Sequence, residues 1–204
     1  NASLVLSDRI VEGDLRVADA QILTVAPGGG LEPEESESIL DATGLHLLPG
    51  AIDPQVHFRE PGQPDREDIG SGSRAAVAGG VTAFLDMPNN VPAATTLASI
   101  QSKIDSAGRN GVNHHGFFIG ATPDNVSDLQ DAVGTPDAPS PTDGICGIKV
   151  FMGSSTGDLL VHQQKHLENI FANTGGIIAT HAEDEDRLNA RFPDFSERTD
   201  IAAH

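Results

Sequence analysis

From residue 51 onward, apolar runs alternate with amphipathic stretches, and the pattern repeats about every 30 residues. The apolar runs predict strands over residues 51–58, 81–87, 116–119, 145–152 and 177–181. Between them, apolar residues spaced three and four apart predict helices around residues 67–78, 97–107, 126–133 and 166–174. Thr96 and Asp124 are the predicted caps of the second and third helices, and residues 135–143 form a predicted Pro-rich loop. Strands that alternate with helices at this spacing are typical of a parallel α/β sheet.

The first 48 residues have a different pattern. Short apolar pieces at residues 4–6, 15–17, 21–25 and 45–48 lie between turn residues and predict short strands, with a loop over 28–37. We therefore expect two domains, a small β domain over residues 1–48 and an α/β domain over residues 49–204. A closed (β/α)8 barrel needs eight units. About five are predicted here, so we interpret the chain as the front half of a longer protein.

Composition narrows the function classes. The chain has 12 Lys and Arg against 30 Asp and Glu, a formal net charge of −18, and it contains no Trp and no Tyr. A surface of this charge repels a phosphate backbone, and the shortage of aromatic side chains disfavours stacking on bases, so no nucleic-acid partner is expected. The one cysteine, Cys146, excludes an internal disulfide and fits a reducing, cytoplasmic compartment. No apolar run reaches about 18 residues, so no membrane span is expected.

The first candidate for chemistry is the end of the first predicted strand of the α/β domain. Strand alternation puts Asp53, Gln55, His57 and Arg59 on one face. In a parallel strand buried on both sides, such a polar face needs a polar destination, which the active-site end of a barrel strand supplies. A half-solvated edge strand is the alternative, and Pro54 favours it. The pattern by itself leaves both open.

Polar residues also lie within, at or just after the ends of three later predicted strands. Asn89 follows the second, in a Pro-Asn-Asn sequence that is equally suited to a turn. Lys149 lies inside the apolar fourth strand, where burial would lower its pKa and make the amine nucleophilic, unless it pairs with a carboxylate or extends to the rim. His181 ends the fifth strand and is a candidate metal ligand or an ordinary solvated histidine. If the domain is a barrel, all of these converge on one rim.

Four segments together resemble dihydroorotase, a cyclic amidase of the amidohydrolase superfamily. They are PGAIDPQVHFREPG (49–62), GGVTAFLDMPNNVPAATT (79–96), GIKVFMGSSTGDLLV (147–161) and THAEDED (180–186). The resemblance spans essentially all of the chain after residue 48. It implies the first part of a TIM-type (β/α)8 barrel, preceded by part of a small β-sandwich domain over residues 1–48.

The resemblance also implies a reaction and a site. The reaction is the reversible, metal-dependent hydrolysis of L-dihydroorotate to N-carbamoyl-L-aspartate in pyrimidine biosynthesis, with one or two zinc ions as the cofactor. His57 would bind the first metal, carboxylated Lys149 would bridge the two, and His181 would bind the second. Arg59 and Asn89 would hold the substrate carboxylate, which suits the forked guanidinium of arginine. Hydantoinases and allantoinases share the scaffold, and Arg59 favours dihydroorotase over them.

Two departures from the family pattern leave alternatives open. The family usually has His-x-His on its first barrel strand, whereas this chain has Gln55 before His57, and a glutamine oxygen is a poorer zinc ligand than imidazole. Gln55 therefore motivates a second hypothesis, a non-catalytic relative that serves as a scaffold for aspartate transcarbamoylase. The family's general acid/base aspartate is expected beyond residue 204, so no catalytic residue is assigned within this chain. A homodimer is also possible.

Overall fold

The computed structural model describes residues 1–153 and 157–201. The chain divides into two compact units, with the boundary between Gly50 and Ala51. Ser154 and Ser155, which belong to the sequence motif of residues 147–161, lie outside the described residues. In the first unit, four strands make one sheet with the order β3-β2-β1-β4. They are β1 (Ala2–Val5), β2 (Ile10–Ala18), β3 (Gln21–Pro27) and β4 (His46–Leu47). Strands β1, β2 and β3 pair antiparallel, and β4 joins β1 in parallel.

The second unit contains the alternation that the hydrophobic pattern predicts. Its strands are β5 (Ala51–Val56), β6 (Val81–Asp86), β7 (His114–Gly120), β8 (Gly134–Thr135), β9 (Ala138–Pro139), β10 (Ile145–Phe151) and β11 (Ile178–His181). Five of them pair in parallel in the order β11-β10-β7-β6-β5 and form a curled half-barrel. Sheet order follows chain order, so each strand lies beside the previous one. The expected first part of a (β/α)8 barrel is confirmed.

Helices connect the parallel strands and cover their outer face. They are α1 (Ile69–Ala78), α2 (Leu97–Asn110), α3 (Val126–Val133), α4 (Gln164–Asn173) and α5 (Glu185–Phe195). The predicted N-cap of α2 is correct, since the Thr96 hydroxyl accepts from the Ser99 N–H. The predicted cap of α3, Asp124, is wrong by one residue. The capping position is Asn125, whose side-chain nitrogen donates to Thr95 and Gly120. No described helix is both long and apolar enough to cross a bilayer.

Two further predictions were wrong in detail. Residues 135–143, expected to be a loop, contain the short hairpin of β8 and β9. Strand β5 ends at Val56 instead of continuing to Phe58, because the register with β6 shifts between Asp53 and Val56. The Phe58 N–H donates to the side-chain carboxylate of Asp86 and not to a backbone carbonyl of β6. The residues after Val56 therefore form a loop, and strict alternation does not govern where they point.

A single apolar core lies between the parallel sheet and its helices. Its largest fully buried members come from alternate strand positions and from one stripe of each of the helices α1 to α4. They are Phe84, Phe117, Ile119, Ile148, Ile69, Ile100, Leu129 and Ile170. Phe58, at the start of the loop after β5, packs edge-on against Phe84 with ring centroids 4.8 Å apart. The core therefore reaches the loop that carries His57 and Arg59.

Helix α1 can approach this loop because position 72 has no side chain. A Cβ placed on Gly72 would lie 2.5 Å from Phe58 Cε1. We predict that Gly72→Ala lowers the free energy of unfolding by about 1–3 kcal/mol, because the Phe58 ring would have to move in a packed core. Gly108→Ala is the matched control, since a Cβ there meets nothing within 4 Å. The control should be neutral or stabilising by about 0.5–1 kcal/mol. Thermal unfolding of the full-length protein measures both, and an unchanged or raised Tm for Gly72→Ala would contradict the packing described.

Candidate active site

The candidate residues lie at one edge of the half-barrel, where the parallel strands have their carboxyl ends. His57 follows β5, Asn89 follows β6, Lys149 lies near the end of β10, and His181 ends β11. His57 and Asn89 are in direct contact, whereas Lys149 and His181 each lie near the Phe151 ring. Strands β5 and β11 are the two outermost strands of the five. Among the described residues, no three His, Cys, Asp or Glu side chains are grouped so that they could hold a metal ion.

His57 is oriented by a direct contact with Asn89. Its Nδ1 lies 2.6 Å from Asn89 Oδ1, so Nδ1–H donates, and Nε2 has no hydrogen-bond partner among the described residues. An orienting hydrogen bond on one ring nitrogen is the usual arrangement for a histidine that binds a metal through the other. The Asn89 amide nitrogen has no acceptor among the described residues and can donate to a ligand. Gln55 differs, because its side chain is exposed and without a hydrogen bond in the described part of the chain.

Arg59 is half-buried in the same loop. Its backbone N–H donates to the Glu67 carbonyl, 3.1 Å away. The described residues provide no carboxylate within ion-pair distance of its guanidinium. A partly buried arginine without a protein anion, next to His57, is well placed to receive an anionic ligand.

A buried ion pair, which the sequence analysis did not predict, supports the loop after β5. Lys103 of α2 and Asp86 at the end of β6 have fully buried side chains, and Lys103 Nζ lies 2.8 Å from Asp86 Oδ2. Lys103 Nζ also donates to the Met87 carbonyl at 2.9 Å and to Asn90 Oδ1 at 2.5 Å. Lys103 Nζ therefore has two hydrogen-bond acceptors and one ion-pair partner within 2.9 Å. Burial still lowers the pKa of Lys103 and raises the pKa of Asp86, because desolvation outweighs their mutual attraction.

Asp86 and Asn90, which both contact Lys103, also bind the backbone of the loop. Asp86 Oδ1 accepts from the Phe58 N–H at 3.0 Å. The Asn90 side-chain nitrogen donates to the carbonyls of Phe58 and Glu60, each at 3.0 Å. The backbone on both sides of Arg59 is therefore tied to residues that contact Lys103.

Glu60 provides a second attachment between the loop and the helices. One carboxylate oxygen accepts from the Ser106 hydroxyl of α2, and the other accepts from the Ile69 N–H at 2.9 Å. Ile69 is the first residue of α1, so this carboxylate lies at a helix N-terminus, where negative charge is favoured. Helix α2 thus contributes both Lys103 and Ser106, which lie three residues apart on one face.

A signal for Lys103 was present in the helical periodicity. Ile100, Lys103 and Ala107 follow the spacing of a buried stripe, and all three are buried. The prediction of α2 used the apolar members of that stripe and did not consider a lysine within it. Lys103 is one of only three lysines in the chain, so its place on a core-facing stripe was informative.

Lys149 is buried, as expected for a lysine within an apolar strand. Its side chain is 1% exposed, and Nζ lies 4.9 Å from the centroid of the Phe151 ring. The described residues give it neither a hydrogen bond nor an ion pair, so the predicted alternative of a carboxylate partner is not observed there. Desolvation lowers the pKa of Lys149 and so favours the neutral amine. A neutral, unpaired amine is the form that can add carbon dioxide to give a carbamate.

His181 is linked to Lys149 through Phe151. Strands β10 and β11 pair Phe151 with His181, and the two rings stack with centroids 6.3 Å apart. The Phe151 ring therefore lies near both Lys149 and His181. His181 Nε2 lies 3.1 Å from Glu183 Oε2, so the carboxylate stands close to a ring nitrogen that a metal would use.

Cys146, earlier on β10, is partly buried, and desolvation raises its pKa to about 12.

The chain is similar in sequence and fold to several known proteins. Residues 44–139 match the family model described as dihydro-orotase-like. An allantoinase from Streptomyces avermitilis is 35% identical over 161 residues, which are 73% of this chain and 34% of that protein. A dihydroorotase from Methanothermobacter thermautotrophicus is 33% identical over 200 residues, 97% of this chain and 42% of that protein. Among solved structures, the L-hydantoinase from Arthrobacter aurescens superposes with a TM-score of 0.76 at 24% identity, covering 100% of this chain and 44% of that one.

Residues 44–139 are dihydroorotase-like in sequence, which confirms the resemblance seen in the motifs. Over most of its length the chain is similar to proteins named dihydroorotase and allantoinase. Its fold is similar to that of a hydantoinase. The chain spans less than half the length of the relatives it matches.

Proposed function

We propose that the full-length protein is a metal-dependent cyclic amide hydrolase that interconverts L-dihydroorotate and N-carbamoyl-L-aspartate, a reaction of pyrimidine biosynthesis. The observation that carries the choice of substrate is Arg59. Its half-buried guanidinium has no protein carboxylate among the described residues, and it is two positions from His57. A substrate with a ring amide and a carboxylate would place the carboxylate on Arg59 while the amide lies near His57.

Asn89 supports the same substrate. Its Oδ1 holds His57 Nδ1, while its amide nitrogen is free to donate to a ligand oxygen. One side chain can therefore orient a metal-binding imidazole and contact a substrate carboxylate together with Arg59. Both contacts to the carboxylate are made by donors, which compensates for the formal net charge of −18 on the chain as a whole.

The residues present fit a metal site only in part. His57 offers a free Nε2, and Lys149 offers an amine suited to carboxylation, so these two would hold zinc most directly. His181 would bind through its ring after displacing Glu183, and exposed Gln55 is the weakest candidate. Bound zinc would polarise the amide carbonyl and lower the pKa of a coordinated water. The general acid/base aspartate is proposed to come from beyond residue 204.

Two other functions are distinguishable by assay. Relatives named allantoinase are as similar as those named dihydroorotase, which favours testing other cyclic amides. Gln55 favours testing the non-catalytic scaffold for aspartate transcarbamoylase.

We predict that the zinc-loaded full-length protein hydrolyses dihydroorotate with a kcat/KM at least about a hundredfold above its value for allantoin or hydantoin, because only dihydroorotate carries a carboxylate for Arg59. Hydrolysis is followed by the loss of ring absorbance for each substrate. Preference for allantoin or hydantoin would replace the proposed substrate. An absence of turnover together with co-purification of aspartate transcarbamoylase would establish the scaffold instead.

Arg59→Met tests the carboxylate contact. Loss of a charge-assisted hydrogen bond should raise KM for dihydroorotate about ten- to hundredfold. Arg66→Met, an exposed arginine of the same loop, is the matched control and should leave KM unchanged. Steady-state kinetics of both variants decide the matter, and an Arg59→Met enzyme with wild-type KM would exclude Arg59 from the substrate site.

Lys149→Ala tests the carbamate. The variant should lose bound zinc and activity, and small carboxylic acids should restore part of both, since they can replace the carbamate oxygens. Lys165→Ala removes an exposed lysine of α4 and should retain wild-type zinc content. Zinc is measured by elemental analysis of the purified proteins. Wild-type zinc content in Lys149→Ala would show that this lysine does not bind the metal.

A further inference from the structure

We propose that Lys103 and Asn90 form a positioning device for the substrate-binding loop. In this arrangement the ammonium on α2 holds Asn90, and Asn90 holds the backbone on either side of Arg59. The proposal rests on the proposed function for the role of Arg59, while its structural content is independent of that function.

The device starts from a buried ammonium with three acceptors close to it. Lys103 Nζ donates to the Met87 carbonyl and to Asn90 Oδ1 at 2.9 and 2.5 Å, and it lies 2.8 Å from Asp86 Oδ2 in an ion pair. These contacts restrain the positions of the acceptors, because losing a hydrogen bond leaves an unpaired donor away from water. The Asn90 amide is thereby fixed, with its oxygen toward Lys103 and its nitrogen toward the loop.

Asn90 also binds the loop directly. Its side-chain nitrogen donates to the Phe58 and Glu60 carbonyls at 3.0 Å each, and these two residues flank Arg59. Asp86, the ion-pair partner of Lys103, holds the Phe58 N–H. Three backbone groups around Arg59 are thus bound by side chains that contact one ammonium. Asn90 is 7% exposed, so water does not readily replace these bonds.

The restrained backbone determines where the Arg59 side chain points. Arg59 has a backbone bond to Glu67 but no described side-chain partner, so the direction of its guanidinium depends on the backbone that carries it. His57 is one residue before Phe58 and is subject to the same constraint. Holding this backbone fixed orients Arg59 before substrate arrives, which reduces the entropy lost on binding. Lys103 and Asn90 are therefore positioning residues and touch no substrate.

The test uses two variants of the full-length protein that weaken the device without leaving a buried charge unpaired. Asn90→Ala removes both loop contacts and keeps the pair of Lys103 and Asp86. The double variant Asp86→Asn with Lys103→Met removes both charges together, because truncating Lys103 by itself would strand a buried carboxylate and could unfold the protein. Lys165→Met on exposed α4 is the control for replacing a lysine.

The first measurement is hydrogen–deuterium exchange of the peptide that contains residues 57–62. Exchange should accelerate about tenfold or more in both variants, while a peptide from β7 keeps its wild-type rate. Asn90→Ala removes the bonds to the Phe58 and Glu60 carbonyls, and the double variant removes the ammonium that holds Asn90. The second measurement is steady-state kinetics with dihydroorotate. KM should rise about tenfold or more with a smaller change in kcat, whereas simple partial unfolding would lower the apparent kcat and leave KM unchanged.

The outcomes separate the two proposals. Wild-type exchange of residues 57–62 in both variants would overturn the positioning device, as would a lowered kcat with an unchanged KM. If the wild-type protein hydrolyses no dihydroorotate, the proposed function fails. The exchange experiment would then still decide whether Lys103 and Asn90 hold the loop.

Discussion

The candidate site depends on one buried ion pair, between Lys103 of α2 and Asp86 at the end of β6. Taking two charges out of water costs several kcal/mol each, and their attraction repays that cost only when the remaining hydrogen-bonding capacity is also satisfied. Here the Met87 carbonyl and Asn90 supply the remaining acceptors. An apolar pair of similar size could fill the same space. It could not determine where Asn90 and the Phe58 N–H lie, and those two groups define the course of the loop after β5.

The loop after β5 combines a residue of the apolar core with two residues of the candidate site. Phe58 belongs to the core, packed on Phe84 and against the bare Cα of Gly72, whereas its neighbours His57 and Arg59 carry the chemistry. A residue embedded in a close-packed core has little freedom to move. Placing Phe58 between His57 and Arg59 therefore limits the movement of both polar side chains. Backbone hydrogen bonds to Asp86 and Asn90 complete the restraint.

The second pair of candidate residues is built on different physics. Lys149 and His181 are related by the register of β10 and β11 and share contact with the Phe151 ring. No described anion neutralises Lys149, which is why desolvation lowers its pKa. The two buried lysines of the barrel segment thus differ. Lys103 lies within 2.9 Å of three acceptors, whereas Lys149 has no hydrogen bond or ion pair among the described residues.

Local patterns in the sequence determined most of the fold. The five parallel strands, the helices between them and the Thr96 cap followed from hydrophobic periodicity and capping chemistry, because these depend on residues close together in the chain. The burial of Lys149 followed from its apolar strand in the same way. The sequence motifs also indicated the resemblance to dihydroorotase. Tertiary structure decided the rest: the register shift that ends β5 at Val56, the contact of His57 with Asn89, and the placement of Lys103 under a loop more than 40 residues earlier. These depend on which side chains meet across elements distant in the chain, and neither propensity nor spacing encodes that information.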